Sequence, residues 1–330
     1  MIAAVRREWF LVALVVVLAI GMPVGRFLGP DGVPELGLLP AVSTAVVLFL
    51  MAFSLDASRL AAAVTRPLPV LIAVGVNAVW MPLAAWPLTT LIARDDLRVG
   101  LMIAASVPCT LAAASVWTRR AGGDDAVSLL TTLATNGACF VVAPFWLATT
   151  CGLSVEIDAA ALATRLFCTA VVPMGLGQLV RAIPVAGRVA RARKPFWSQL
   201  ALVTILTVIA YSAVKAGSYL SSLDALPDGG SVAVTLAAGA GGHVVAFGLA
   251  WRLAGGATRP RRIAVAFAGS QKTLPVGILL ATSPEVTGSD PSGLPLVAFP
   301  MLFVHASQLA IDTVIASRLA KGGGPDSDAA

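Results

Sequence analysis

The chain is poor in charge. Asp, Glu, Lys and Arg make up 12% of its 330 residues, about half the share usual in soluble domains. It has two histidines and four cysteines. A membrane-embedded hydrolase needs a His-Glu-x-x-His run, paired acids inside an apolar segment, or a serine–histidine pair. None occurs, so an intramembrane enzyme has no residues to carry it. A glycine-rich phosphate loop with its lysine is also missing, which excludes a pump with its own ATPase. Cys109, Cys139, Cys151 and Cys168 lack metal-ligand spacing, and most fall within or beside apolar segments, which argues against a disulfide framework. The net charge of +6 is no nucleic-acid footprint, because the basic residues sit in short loops between apolar segments.

What remains is apolar. The chain is 58% hydrophobic with a mean hydropathy of +0.88. Several runs reach about 20 residues, the length that crosses roughly 30 Å of hydrocarbon. The expected fold is all-α and polytopic, with ten spans near 9–28, 38–55, 68–92, 99–118, 125–150, 160–181, 197–220, 231–253, 262–282 and 294–316. The first follows Arg6-Arg7 without a small-residue cleavage site and is read as a retained span. Prolines kink several spans: Pro82 and Pro87 in the third, Pro108 in the fourth, Pro144 in the fifth, Pro173 in the sixth. With a cytoplasmic N-terminus, 17 of the 23 Lys and Arg fall on the inner side and three (Arg26, Arg94, Arg98) on the outer. That bias predicts a multi-pass protein of the cell membrane with both termini cytoplasmic. Residues 1–321 form one transmembrane unit, and 322–330, rich in Gly, Asp and Ala, is expected to be a disordered cytoplasmic tail.

The organising stretch is Gly269-Ser270-Gln271-Lys272-Thr273-Leu274-Pro275. Lys272 lies roughly ten residues from either end of its apolar segment, close to mid-bilayer. A lysine there costs a few kcal/mol and marks a functional site by default. Pro275 and Gly269 flank it, and a broken helix at that depth survives only buried in protein or lining a cavity. A structural alternative is a kinked helix whose lysine pairs with a carboxylate. Ten spans divide five and five, and an odd number inverts the second half. The fourth span, from Ser106-Val107-Pro108-Cys109-Thr110 to Ser115, then becomes the counterpart of the ninth. The two are expected to cross with Pro108, Gly269 and Pro275 breaking them.

Several stretches carry a resemblance. They are Asn77-Ala-Val-Trp-Met-Pro82, Pro108 to Ser115 with Gly122-Gly123-Asp124 after it, Gly269 to Gly277, and Phe299-Pro-Met-Leu-Phe-Val-His305-Ala-Ser-Gln308. In order and content they resemble the bile acid:sodium symporter family, and within it the symporter-like subgroup with an Ala-Gly-Gly-Asn/Asp turn after the fourth span. The resemblance implies a panel of spans 1, 2, 6 and 7 and a core of spans 3–5 and 8–10. Spans 4 and 9 unwind where they cross. It places one sodium site at Ser115, Ser128 and Thr132 and sets Asn77 and Gln271 at amide positions of a second.

This chain departs from the pattern. The symporters' glutamate four residues before the glutamine is Phe267 here, and the asparagine after it is Lys272. An anionic ligand is gone and a cation has entered. The lysine ammonium, with three N–H donors, can take the place of a bound sodium ion, and a buried lysine can exchange its proton. Transport is then expected to couple to a proton, or to run on the substrate gradient alone. Lys272, Gln271, Ser270, Thr273, Ser115 and Asn77 are the expected site, with Na⁺ or H⁺ the candidate coupling ion and no other cofactor. A cation and nearby helix N-termini in an apolar pocket favour a small amphipathic organic anion. A regulatory membrane protein that alters ion handling without carrying solute is the alternative. His243 and His305 are expected to bond helix to helix, Asp56 and Asp312 to be solvated or capping near cytoplasmic span ends, where either could pair with a loop arginine, and Arg165 and Lys215 to reach an interface. The oligomeric state is left open.

Overall fold

The computed structural model describes residues 9–34, 36–56, 65, 67–111, 113–152, 157–220, 228–288 and 296–321. The tail expected at 322–330 lies outside them. Helices make up the architecture, and the described residues contain no strand. In chain order they are α1 (Trp9–Leu28), α2 (Leu39–Ser54), α3 (Leu68–Leu91), α4 (Asp95–Ser106) and α5 (Ala113–Arg120). Then come α6 (Asp125–Cys151), α7 (Ala159–Ala182), α8 (Pro184–Ala192), α9 (Lys194–Leu220) and α10 (Gly229–Leu253). The chain ends with α11 (Arg259–Ser270), α12 (Leu274–Ala281), α13 (Pro284–Thr287) and α14 (Phe299–Lys321).

Local chemistry sets many of these ends. Asp124, Asp158 and Asp228 accept from the first backbone N–H groups of α6, α7 and α10. Prolines open α2, α8, α11 and α12, where a missing N–H is harmless. Gly122, at φ 77°, makes the left-handed turn between α5 and α6. Among the described residues seven helices are long and apolar enough to cross a membrane, counting α11 and α12 as one from Arg259 to Ala281. Val12–Leu28 and α2 are apolar but shorter. The segment expected as one fourth span is divided between α4 and α5, so neither piece reaches spanning length alone.

Two packing relations position the rest. α9 lies along α1 and α2, and α7 packs on α2. A Cβ at Gly25 would overlap the Val214 carbonyl, and one at Gly217 would overlap that of Met22, so α1 and α9 touch backbone to backbone. Around the other side, α11 packs against α3, α5, α6 and α10, and residues 263–281 are buried throughout. The basic connections gather at one end. Arg261 faces Asp124 at 3.5 Å, Arg120 donates to Ser317 at 3.0 Å, and Arg259 donates to the Leu319 carbonyl at 2.7 Å. The α3–α4 connection lies instead with the start of α10 and the approach to α14, through Ala93 N–H to Ser231 and Leu296 N–H to Asp96.

Candidate functional site

Both expected breaks are present. Val107, just before Pro108, is extended (ψ 154°), as the proline's ring disfavours a helical neighbour. Gln271 and Thr273 are likewise extended between α11 and α12. The Thr273 N–H donates to the Pro108 carbonyl at 2.9 Å, so the broken centres touch. One expectation needs correction. Gly269 is not part of the break. It sits in the last turn of α11, where an added Cβ would press on the Ala250 side chain at 3.3 Å. Pro275 does not break the chain in mid-helix either; it starts α12, and the interruption lies before it.

The breaks act through the acceptors they free. Gln271 is extended between α11 and α12, so its carbonyl has no helical donor and accepts from Asn77 Nδ2 at 2.8 Å. In α3 the turn Val76–Trp80 is π-helical, with the Met81 N–H reaching back to Val76. The next such bond would run from Pro82 to Asn77, and Pro82 cannot make it. The Asn77 carbonyl therefore turns to Lys272 Nζ at 2.6 Å. Nζ also donates to Asn77 Oδ1 at 3.3 Å and to the Val107 carbonyl, freed by the α4 break, at 2.9 Å. Lys272 is fully buried, and among the described residues no carboxylate lies within 4.0 Å of it. Its main chain is also bonded: the N–H donates to Gln308 Oε1 at 3.1 Å, and the carbonyl faces His305 Nδ1 at 3.2 Å.

The remaining expected residues divide. Gln271 Nε2 donates to Asp312 Oδ2 at 2.5 Å, while its Oε1 has no protein partner. The Ser270 hydroxyl bonds within its own helix at 2.8 Å, and only its carbonyl faces outward, toward His243 and Gln308. On the α5–α6 side, the Thr132 hydroxyl donates to the Ser128 carbonyl at 2.8 Å and lies 3.4 Å from the Thr110 carbonyl. The hydroxyls of Ser115 and Ser128 are buried without a hydrogen-bond partner. Phe267, where the resemblance implies a glutamate, is fully buried with its ring edge-on to Phe247 at 5.1 Å.

Asp312 was missed. It was expected near a solvated span end, yet it is fully buried and holds both Gln271 and His243 Nε2, the latter at 3.0 Å. Its signal was the spacing of His305, Gln308 and Asp312, which puts three polar side chains on one face of an apolar helix. The histidines bond helix to helix as expected. Arg165 pairs with Glu285 at 3.2 Å.

A cavity of about 510 Å³ opens between α2, α7–α9 and α5–α6. Ser115 lines it, with the cations Arg119, Arg181, Arg191 and Lys194 and the acids Asp56 and Asp125. Arg119 pairs with Asp125 at 2.8 Å and Arg181 with Asp56 at 3.5 Å. Arg181 also caps the end of α2 through the Phe53 carbonyl. Beyond this cavity the space narrows to about 10 Å³ between α2, α9 and α12, where Thr44 Oγ1 donates to the Pro275 carbonyl at 3.2 Å.

Comparison with known proteins identifies the family. The model of the SBF-like CPA transporter family matches residues 8–321. Sodium/bile acid cotransporter 7 of Danio rerio is 24% identical over 322 residues, covering 96% of this chain and 94% of the relative. Uncharacterized protein YbaS of Bacillus subtilis is 27% identical, covering 72% and 77%. The probable sodium/metabolite cotransporter BASS4, chloroplastic, of Arabidopsis thaliana is 28% identical, covering 67% and 52%.

Proposed function

The chain belongs to the SBF-like CPA transporter family, and from that premise we propose that it is a secondary transporter of a small amphipathic organic anion, working by alternating access. A transporter family sets the enzyme reading aside. In this reading the helices form ten spans in two inverted sets of five, with α4–α5 and α11–α12 as the broken fourth and ninth. α1, α2, α7 and α9 are the panel that moves against the remaining helices, the core. The gathering of basic connections at one end supports a cell-membrane protein with both termini cytoplasmic. The relatives' printed names, sodium/bile acid and sodium/metabolite cotransporter, support sodium coupling and an organic solute.

Lys272 departs from the symporter pattern that the resemblance implies. We read its ammonium as a tethered replacement for one sodium ion. The observation that carries this is the set of three oxygens on Nζ, two of them carbonyls released by helix breaks, with no carboxylate among them. Ser115, Ser128 and Thr132 are neutral oxygen donors that suit a hard monovalent cation and would hold the one sodium ion that remains. Four cations against two carboxylates leave the 510 Å³ cavity with a positive excess that favours an anionic solute, and that volume is within the range of small-molecule sites.

Uptake of radiolabelled taurocholate into liposomes holding the purified protein tests the reading. A sodium Hill coefficient of about one is expected, and Lys272→Met should reduce uptake by about 100-fold, the scale of losing one buried charge-assisted contact set. A steep sodium dependence with a coefficient near two that survives Lys272→Met sinks the replacement idea. No uptake of taurocholate or other organic anions by the wild type returns the regulatory reading to first place.

A further inference from the structure

One stripe of α9 runs the whole length of the interface. Lys194 and Leu202 line the basic cavity, Ile205 and Ile209 the constriction, and Ser212 and Lys215 a further cavity of about 460 Å³ beyond it. α12 continues in step, with Leu274 and Ile278 at the constriction and Ala281 and Thr282 in the far cavity.

The far cavity has cations of its own. Lys215 Nζ stands 5.9 Å from the ring centroids of both Tyr211 and Tyr219, its neighbours one turn away on either side. That is within cation–π range of each ring. Arg165 reaches the same space from α7 and spends its Nη1 on Glu285. Two polar atoms here have no hydrogen-bond partner among the described residues: the hydroxyl of Ser212, a residue only 3% exposed, and Arg165 Nε. Buried polar groups left over are rare and call for a reason. The apolar remainder of the wall comes from side chains such as Ala216, Ala281 and Val297.

We propose that this far cavity is a second anion-binding site, taking the carboxylate, sulfonate or phosphate head of an amphipathic molecule between Lys215, Arg165 and the Ser212 hydroxyl. The apolar body lies against Tyr211, Tyr219 and the α12 end. The site rests on the transport reading only for why two anion cavities share one path; its binding needs no contribution from Lys272.

Equilibrium binding of tritiated taurocholate to the full-length protein in phosphatidylcholine nanodiscs tests it. Lys215→Gln should raise Kd about tenfold, the loss of one charge-assisted contact. Lys215→Arg should stay within about twofold, and Ser212→Ala should weaken binding about threefold. Ser212→Ala removes only a hydroxyl, so it keeps the test decisive should Lys215→Gln fold poorly. Undetectable wild-type binding, or a Kd indifferent to Lys215→Gln and Ser212→Ala, overturns the site. Adding phosphatidylglycerol identifies the natural source of the head. Competition in wild type but not in Lys215→Gln assigns a lipid to the same site, and unchanged affinity assigns a free anion. A wild type that binds through Lys215 but does not carry taurocholate would count against the transport reading and leave this site standing.

Discussion

On the α11–α12 side of the crossing, Lys272 has three oxygen acceptors for its ammonium and bonded groups on its main chain. On the α5–α6 side, the hydroxyls of Ser115 and Ser128 are equally buried and have no partner. Both clusters are neutral oxygens beside a broken helix. They differ in whether the positive charge is covalently attached. On the reading proposed above, the tethered ammonium fills the first cluster and the second is left to bind and release an ion, so one chain would hold both kinds of oxygen cluster at the two broken helices. The same reading accounts for Phe267, since with Lys272 supplying the positive charge a glutamate beside it would not be needed to attract sodium.

The most severe way to break the comparison is to convert the filled cluster into the other kind. Phe267→Glu combined with Lys272→Asn restores an anionic ligand and removes the tether. We expect sodium to raise the thermal midpoint of this double variant by several degrees, since a ligand bound only by the folded state must stabilise it; about 100-fold over its Kd contributes roughly 2.7 kcal/mol. The wild type should gain far less from the same sodium. A double variant that folds and yet ignores sodium would mean that the Lys272 oxygens do not form a cation cluster.

A smaller effect is expected at Asp312. Asp312→Ala strands Gln271 Nε2 and His243 Nε2, both buried, and should cost about 3–5 kcal/mol in detergent denaturation, as for other broken buried pairs. Asp312→Asn keeps one acceptor oxygen and should cost about 1–3 kcal/mol. Equal costs would show that the carboxylate's charge, rather than its hydrogen bonding, holds the α11 end to α14.

Smaller again is the Ser115→Ala, Ser128→Ala pair. Neither hydroxyl has a partner to lose, so without sodium the double variant should be as stable as the wild type or about 1 kcal/mol more stable. Its thermal midpoint should no longer respond to sodium. A sodium response equal to that of the wild type would locate the ion elsewhere.

The sequence reached the crossing because its causes are local. Proline at 108 and 275 and lysine in an apolar run are visible without tertiary information. It did not reach the clasp, because that depends on which carbonyls the breaks release. The role of Asn77 was read from its amide alone, yet its carbonyl, freed by a π-turn and Pro82, is the shorter contact to Lys272. Asp312 was misread because its distance from the chain's polar end suggested solvent, while the helix face it shares with Gln308 turns inward. Arg165 and Lys215 were read as reaching for an interface, and only the fold reveals that they share a cavity. Helix limits fell close to expectation wherever caps or prolines set them, as at α6 and α7.

The smallest effect comes from a carboxylate at the rim, which serves as the control for Asp312. Asp228 caps α10 by accepting from the Ser231 N–H at 2.7 Å. That hydrogen bonding to Ser231 holds its carboxyl below the ordinary aspartate value of 3.8. Its proton is therefore bound more weakly in the folded chain than in the unfolded one. The stability it contributes is complete above the unfolded value and disappears as pH falls through the lower folded value. Asp228→Asn keeps a capping oxygen but cannot titrate. The midpoint difference between wild type and Asp228→Asn should thus be constant from about pH 8 to pH 5 and shrink below about pH 4. A difference that stayed constant below pH 4 would show that the α10 cap does not titrate, and the contrast between this exposed cap and the buried, doubly bonded Asp312 would fail.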